Sequence, residues 1–248
     1  MRVCSVFLLV WGAVALASVV SIKSEDQFYA LVDNGRYSLI KYYTAWCSHC
    51  KHLAPVFVEL SDRELAMPAG AEVQFLEVDC DRFGNSLCAR LPGFPVLELV
   101  RPSAQDGPEA VPQPPAAGGW RRVLHWLHAL LPQQHPFRVP EDRIAEFRGS
   151  RTADTIASFI QQVVRNDRLE ELAQRVLDGA AQEDEPLVHN GRAYLASVAG
   201  KDLREERNRL ETLLGSDVGI SKAEELRLHL SIVSKLQEAD SALLDDEL

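Results

Sequence analysis

Between residues 22 and 100 the spacing of apolar positions switches repeatedly between the helical and the strand period. Residues 26–31 read as a short helix and 38–44 as a β-rich run. From residue 47 to about 65, Leu53, Val56, Phe57 and Leu60 recur at helical spacing and predict a longer helix. Residues 73–78 predict a second strand, 86–90 a short helix and 95–100 a third strand. This alternation predicts an α/β sheet with helices on its faces.

The pattern then breaks. Residues 101–119 carry Pro102, Pro108, Pro112, Pro114, Pro115, Gly107, Gly118 and Gly119, a composition that favours open loop. Residues 120–131 follow, with Trp120, Val123, Leu124, Leu127 and Leu131 on one helical face that is expected to pack against its own domain. A strand at 143–148 and a helix at 153–164 resume the sheet pattern, so residues 101–140 read as an insertion. Residues 166–244 show no strand signal. Leu169, Leu172, Ala173, Val176 and Leu177 predict a helix ending near Gly179, and residues 193–214 and 222–244 predict two more. Asp217 and Gly219 mark the turn at 216–221. The expectation is an α/β domain over residues 18–165 followed by a small all-helical domain over 166–244.

The N-terminus differs from both. Arg2 is followed by an apolar run at residues 3–14, broken only by Cys4, Ser5 and Gly12, and Ala15-Leu16-Ala17 has the small-x-small form of a signal-peptidase site. Residues 1–17 are therefore expected to be a signal peptide, with an uncleaved signal anchor as the alternative. No other segment is long and apolar enough to cross a bilayer. At 248 residues, 46% apolar and 25% charged, the chain is of ordinary globular composition, and its net charge of −10 argues against a nucleic-acid partner.

Secretory entry makes the cysteines interpretable. Cys4 leaves with the signal, and Cys47, Cys50, Cys80 and Cys88 remain, an even number suited to an oxidising compartment. Pairing neighbours in sequence is the simplest of three connectivities. Trp46-Cys47-Ser48-His49-Cys50-Lys51 lies where a strand is expected to meet the start of a helix. Helix-terminal N–H groups and the helix dipole stabilise a negative sulfur there, so Cys47 is expected to be the nucleophile. Cys50, one turn into the helix, would resolve a mixed disulfide by internal attack. His49, with Lys51 and His52 beside it, adds positive surroundings that favour the thiolate. The alternative is a zinc site, but such sites usually supply a second close-spaced pair, and Cys80 and Cys88 have seven residues between them. No metal or cofactor is expected.

The segment Tyr42-Tyr43-Thr44-Ala45-Trp46-Cys47-Ser48-His49-Cys50-Lys51-His52-Leu53-Ala54-Pro55 resembles the active-site segment of the protein disulfide-isomerase family, a thioredoxin fold. Val78-Asp79-Cys80 is similar to that family's third strand, and Gly93-Phe94-Pro95 to its cis-proline loop. Phe147 to Asp154 resembles the end of the fold, including, at Arg151, an arginine implicated in tuning the resolving cysteine. Asp245-Asp246-Glu247-Leu248 resembles an endoplasmic-reticulum retrieval tetrapeptide. Within the family the likeness is greatest to a small fungal member with one thioredoxin domain. Two departures stand out: Ser48 replaces the usual glycine, and Ala45 the usual proline, so the family's redox poise does not transfer.

The resemblance implies a thioredoxin fold with an insertion, followed by the helical domain. It implies a thiol–disulfide oxidoreductase of the endoplasmic reticulum lumen that forms, reduces or isomerises disulfides in folding secretory proteins. Its partners would be unfolded or misoxidised secretory proteins, an oxidase or glutathione for electrons, and the retrieval receptor. The competing function is a lumenal chaperone with an incidental dithiol. Trp46, Phe94 and Pro95 would form the substrate-binding strip, with Pro95 in cis and the backbone before it pairing with an extended client. A Cys80–Cys88 disulfide would close a nine-residue loop worth about 2.5 kcal/mol of loop-closure entropy. Finally, the family places a buried glutamate six residues before the nucleophile and a lysine before the Val-Asp of the third strand. Here those positions hold Lys41 and Glu77, a swapped pair in which Glu77 is the expected proton acceptor for Cys50.

Overall fold

The computed structural model describes residues 19–63, 65–103, 137–179 and 186–245. The expected signal peptide, the helix at 120–131 and all but the first residue of the retrieval tetrapeptide lie outside the described residues. One compact unit is built from residues up to Ile160 (Met67–Gly70 excepted) and a second from Gln161 onward.

In the first unit the elements run β1 (Val20–Ser21), α1 (Glu25–Val32), β2 (Tyr37–Tyr43), α2 (Ser48–Ser61), β3 (Val73–Asp79), α3 (Cys80–Phe83), β4 (Val96–Val100), β5 (Ile144–Glu146) and α4 (Ala153–Leu177), the last continuing into the second unit. The sheet order is β1-β3-β2-β4-β5. β1, β3 and β2 are parallel, β4 pairs antiparallel with β2, and β5 pairs antiparallel with β4. The central strands are covered on both faces, which is the usual condition of parallel strands. On one face Ile40, Tyr42, Leu76, Val78 and Val100 join Phe28 and Val32 of α1 in a core. On the other, the Phe57 ring of α2 stands 5.7 Å from that of Phe75. Each large side chain buried this way contributes about 1.5–3 kcal/mol.

Buried polar side chains in the central strands are satisfied across the sheet. Gln74 of β3 donates to Ser38 Oγ of β2 at 2.7 Å and to the Leu31 carbonyl at 2.7 Å. Glu98 of β4 is buried and takes a two-pronged salt bridge from Arg90, whose guanidinium lies 4.1 Å from the centre of the Phe137 ring.

Local signals set most element ends. Ser24 accepts from Gln27 N–H at 3.2 Å to start α1, a cap favoured by its short side-chain oxygen. Two expectations are corrected here, and one strand is added to them. Residues 86–90 form turns rather than a helix, because the helical residues come earlier, at α3, where Asp79 Oδ1 accepts from Asp81 N–H at 3.0 Å and starts the helix. α2 stops at Ser61 rather than near 65, its last turn tightened by the Arg63 N–H bond to Leu60 O at 3.2 Å. The strand β1 was not visible, since two residues carry no period.

The helical region differs more. The two helices expected at 153–164 and ending near 179 are one element, α4. Asn166 and Asp167 are weak helix formers, but Val163, Val164, Leu169, Leu172, Ala173 and Val176 keep a buried stripe running past them. Conversely, the helix expected at 193–214 is two, α5 (Pro186–Val198) and α6 (Leu203–Leu214). Gly200 takes φ +79°, which ends α5, and Asp202 accepts from Arg204 and Glu205 N–H groups to begin α6. α7 (Ile220–Asp245) completes a core of Leu169, Leu172, Val176, Val188, Leu210, Leu228 and Ile232. Gly191 is required there, because a Cβ would stand 2.9 Å from Val176 Cγ2.

Candidate active site

β2 delivers its C-terminal end to the start of α2, and the turn between them carries Thr44, Ala45 and Trp46. Cys47 is the N-cap of α2: its Sγ accepts from Cys50 N–H at 3.3 Å, the place a Ser or Asp oxygen usually takes. A sulfur at this position receives the otherwise unpartnered N–H groups of the first turn, whose positive end of the helix dipole favours an anion. Cys47 keeps 8% of its surface and Cys50 4%. Both are free thiols.

The two acidities are driven apart. The Cys47 thiol is lowered, first by its hydrogen bond with Cys50, then by the backbone N–H groups of Cys50 and His49 and by the Arg151 charge, against an opposing burial. Cys50 is raised, first by burial and then by Cys47, while the Thr44 amide and Arg151 pull the other way. What His49 contributes to Cys47 in this geometry is its backbone N–H, and its ring is exposed.

Across from the dithiol, the Phe94–Pro95 peptide is cis. Cys47 Sγ lies 3.6 Å from the Phe94 carbonyl oxygen, and Arg151 Nη2 donates to the Pro95 carbonyl at 3.2 Å. Phe94 is half-buried and Pro95 buried, so the structure brings Cys47, Cys50, Phe94, Pro95 and Arg151 together. Trp46 is 73% exposed, the most open large aromatic surface beside Cys47. Its orientation is held by a residue that sequence reasoning missed. Asp81 accepts from Ala45 N–H at 2.8 Å and from Trp46 Nε1 at 2.9 Å, clamping both residues that precede the nucleophile. An acidic residue just after Cys80 was the one available signal.

Lys41 and Glu77 stand directly opposite one another in the parallel β2–β3 register, and Lys41 Nζ lies 2.8 Å from Glu77 Oε2. Lys41 is 4% exposed and Glu77 22%. The ammonium also lies 4.9 Å from the centre of the Phe57 ring. Burial opposes ionisation of Glu77, but Lys41 and a hydrogen bond from Ser21 outweigh it and hold the carboxyl below its usual range. Glu77 is thus an engaged carboxylate rather than a free one. Cys80 and Cys88 are joined in a disulfide that closes the loop carrying Asp81. Among the described residues no group of three or more His, Cys, Asp and Glu side chains converges as metal ligands would.

A parallel-centred sheet with a free cysteine pair at a strand–helix junction defines a thioredoxin-fold protein, and residues 19–111 match the family model described as Thioredoxin. Protein disulfide-isomerase 1 of Dictyostelium discoideum is 37% identical over 100 residues, covering 38% of this chain and 27% of that protein. Protein disulfide isomerase-like 2-1 of Oryza sativa subsp. japonica is 22% identical over 231 residues, covering 88% of this chain and 59% of its own length. Human ERp44 form I, a solved structure, is 22% identical with a TM-score of 0.36, over 59% of this chain and 30% of that one. The chain thus spans between about a quarter and three fifths of the length of these two curated relatives. Residues 19–111 thus carry a thioredoxin domain similar to those of proteins named protein disulfide-isomerase.

Proposed function

We propose that this protein is a thiol–disulfide oxidoreductase of the endoplasmic reticulum lumen, acting on secretory proteins as they fold through Cys47 and Cys50. The observation that carries the reading is the split in acidity between two cysteines one helical turn apart. Cys47, held as the better thiolate, attacks a client disulfide, forming a Cys47–client bond and releasing one client thiolate. Cys50 then loses its proton and attacks Cys47 Sγ. The Cys47–Cys50 bond forms, the Cys47–client bond breaks, and the second client thiolate leaves and takes up a proton. The client is reduced by two electrons and the dithiol oxidised; the reverse sequence forms a client disulfide. Glutathione or a lumenal oxidase is the proposed electron partner.

The other residues have supporting parts. Trp46 and the Phe94–Pro95 segment flank Cys47 and would seat an extended client, with Asp81 fixing the indole. Arg151 acts on both sulfurs while holding the Pro95 carbonyl. The His49 ring is proposed to tune redox poise from the surface. Glu77 is the proposed acceptor for the Cys50 proton, a weak base because Lys41 and Ser21 already engage it. The lumenal location is supported by the Cys80–Cys88 disulfide, a bond typical of oxidising compartments.

The experiment is trapping. Cys50→Ala removes the internal escape reaction, so clients accumulate as mixed disulfides on Cys47, and reduction of insulin and refolding of scrambled ribonuclease both fail. Comparable trapping through Cys50 in a Cys47→Ala variant would reverse the two roles.

A further inference from the structure

Thr44 ends the segment that feeds the dithiol, and it is 3% exposed. Its backbone is fully used at the site: the carbonyl accepts from Cys47 N–H at 3.4 Å, and the amide acts on the Cys50 sulfur. Its hydroxyl has no hydrogen-bond partner among the described residues. Of the four buried side-chain nitrogen and oxygen atoms without a hydrogen-bond partner among the described residues, Thr44 Oγ1 is the one in the first unit. Buried hydroxyls are nearly always paired, and leaving one unpaired costs about 1–3 kcal/mol. A valine at this position would have the same shape without that cost.

We propose that the Thr44 hydroxyl is a donor held in reserve for the Cys50 thiolate, unpaired while Cys50 is a thiol and paired as its sulfur takes on charge to resolve a mixed disulfide. A neutral thiol is a poor acceptor, so little is gained in the resting state. An anionic sulfur is a strong acceptor, and hydrogen bonds to charged groups are roughly twice as strong as neutral ones. The interaction therefore strengthens on the way to the transition state, the condition for accelerating a step rather than only binding tightly. It opposes the burial that makes Cys50 hard to ionise, and it adds to Arg151 and the Thr44 amide, which act in the same direction.

This inference rests on the proposed oxidoreductase chemistry, and one experiment separates the two. The reduced full chain is mixed with excess glutathione disulfide, quenched in acid at intervals, and analysed by mass spectrometry. In the first step the Cys47 thiolate attacks glutathione disulfide, giving the Cys47–glutathione mixed disulfide and one glutathione thiolate. In the second, Cys50 gives its proton to solvent and attacks Cys47 Sγ, giving the Cys47–Cys50 disulfide and a second glutathione thiolate, which is protonated. Thr44→Val should form the mixed disulfide at the wild-type rate and close it about tenfold more slowly, the loss of one charge-assisted hydrogen bond. Thr44→Ser, which keeps the hydroxyl, should close within about twofold of wild type, and Thr44→Val should melt no lower than wild type because the unpaired hydroxyl is gone. Thr44→Ala repeats the deletion with a smaller side chain should valine prevent folding. Closure of both hydroxyl-deleted variants at the wild-type rate overturns the proposal, as does equal slowing in Thr44→Ser and Thr44→Val. If wild type itself never closes the Cys47–Cys50 bond, the oxidoreductase reading fails and the proposal falls with it.

Discussion

Replacing Glu77 by glutamine removes one charge from a pair whose other member has nowhere to go. Lys41 Nζ is 2.8 Å from the carboxylate, its side chain is 4% exposed, and the strand that carries it lies at the centre of the sheet. Breaking a buried pair from one side costs about 3–5 kcal/mol, because the remaining charge keeps its desolvation penalty and loses its compensation. Glu77 retains 22% of its surface, so water reaches the partner and the lower end applies, about 3 kcal/mol. That is a large share of a typical domain stability and corresponds to a fall in Tm of about 10 °C. The assay is equilibrium urea unfolding of the full chain followed through its tryptophans, alongside the glutathione closure rate. Lys41→Glu alone should also lose stability, since two carboxylates would then face each other in register. Combining it with Glu77→Lys should restore most of what either reversal removes. As Glu77 has its pKa depressed in the folded state, its contribution is complete above its unfolded pKa of about 4.3 and is lost as pH falls through the lower folded value. The acid limb of the stability curve should therefore flatten in Glu77→Gln. A loss below about 0.5 kcal/mol, within the range of ordinary surface changes, would refute the buried-pair account, and a failed double reversal would refute the pairing. Closure at the wild-type rate across neutral pH would remove Glu77 as the proton acceptor while leaving the structural pair intact.

Two further outcomes follow from other parts of the molecule. Asp81→Asn places an amide NH2 against one of two N–H donors, Ala45 or Trp46. Trp46 fluorescence anisotropy should fall and kcat/KM for an unfolded client should drop about three- to tenfold, of the order of one hydrogen bond, with the Cys47 alkylation rate unchanged. In the second unit, Glu206 accepts from Tyr194 OH at 2.9 Å and from Arg209 at 2.6 and 2.9 Å, and Arg209 first among these holds its carboxyl down at about 2. Its stabilisation should persist above about pH 4.3 and disappear between there and about pH 2, a loss that Glu206→Gln abolishes in acid titrations followed by circular dichroism.

What the amino-acid order determined by itself is whatever is written within a turn or two of chain. The helix start at Cys47, the strand before it and the spacing of the two cysteines are all local, because an N-cap position and a period of 3.6 or 2 need only neighbouring residues. The resemblance carried the reading further, to Pro95, Arg151 and the opposed charges of Lys41 and Glu77. Elsewhere local propensity is overruled from outside. α4 runs through Asn166 and Asp167 because its buried stripe outweighs their weak propensity, and residues 86–90 are turns because α3 starts earlier, on the Asp79 cap. Tertiary structure alone decided the rest. Trp46 is aimed by an aspartate 35 residues away, Cys47 meets a carbonyl 47 residues away, and a lysine becomes a buried ion-pair partner only through strand register. That the Thr44 hydroxyl finds no partner among the described residues has no signature in one dimension at all, since pairing is a property of the surroundings. Periodicity encodes which face a residue occupies, but which groups share that face is fixed only when strands far apart in sequence are brought into contact.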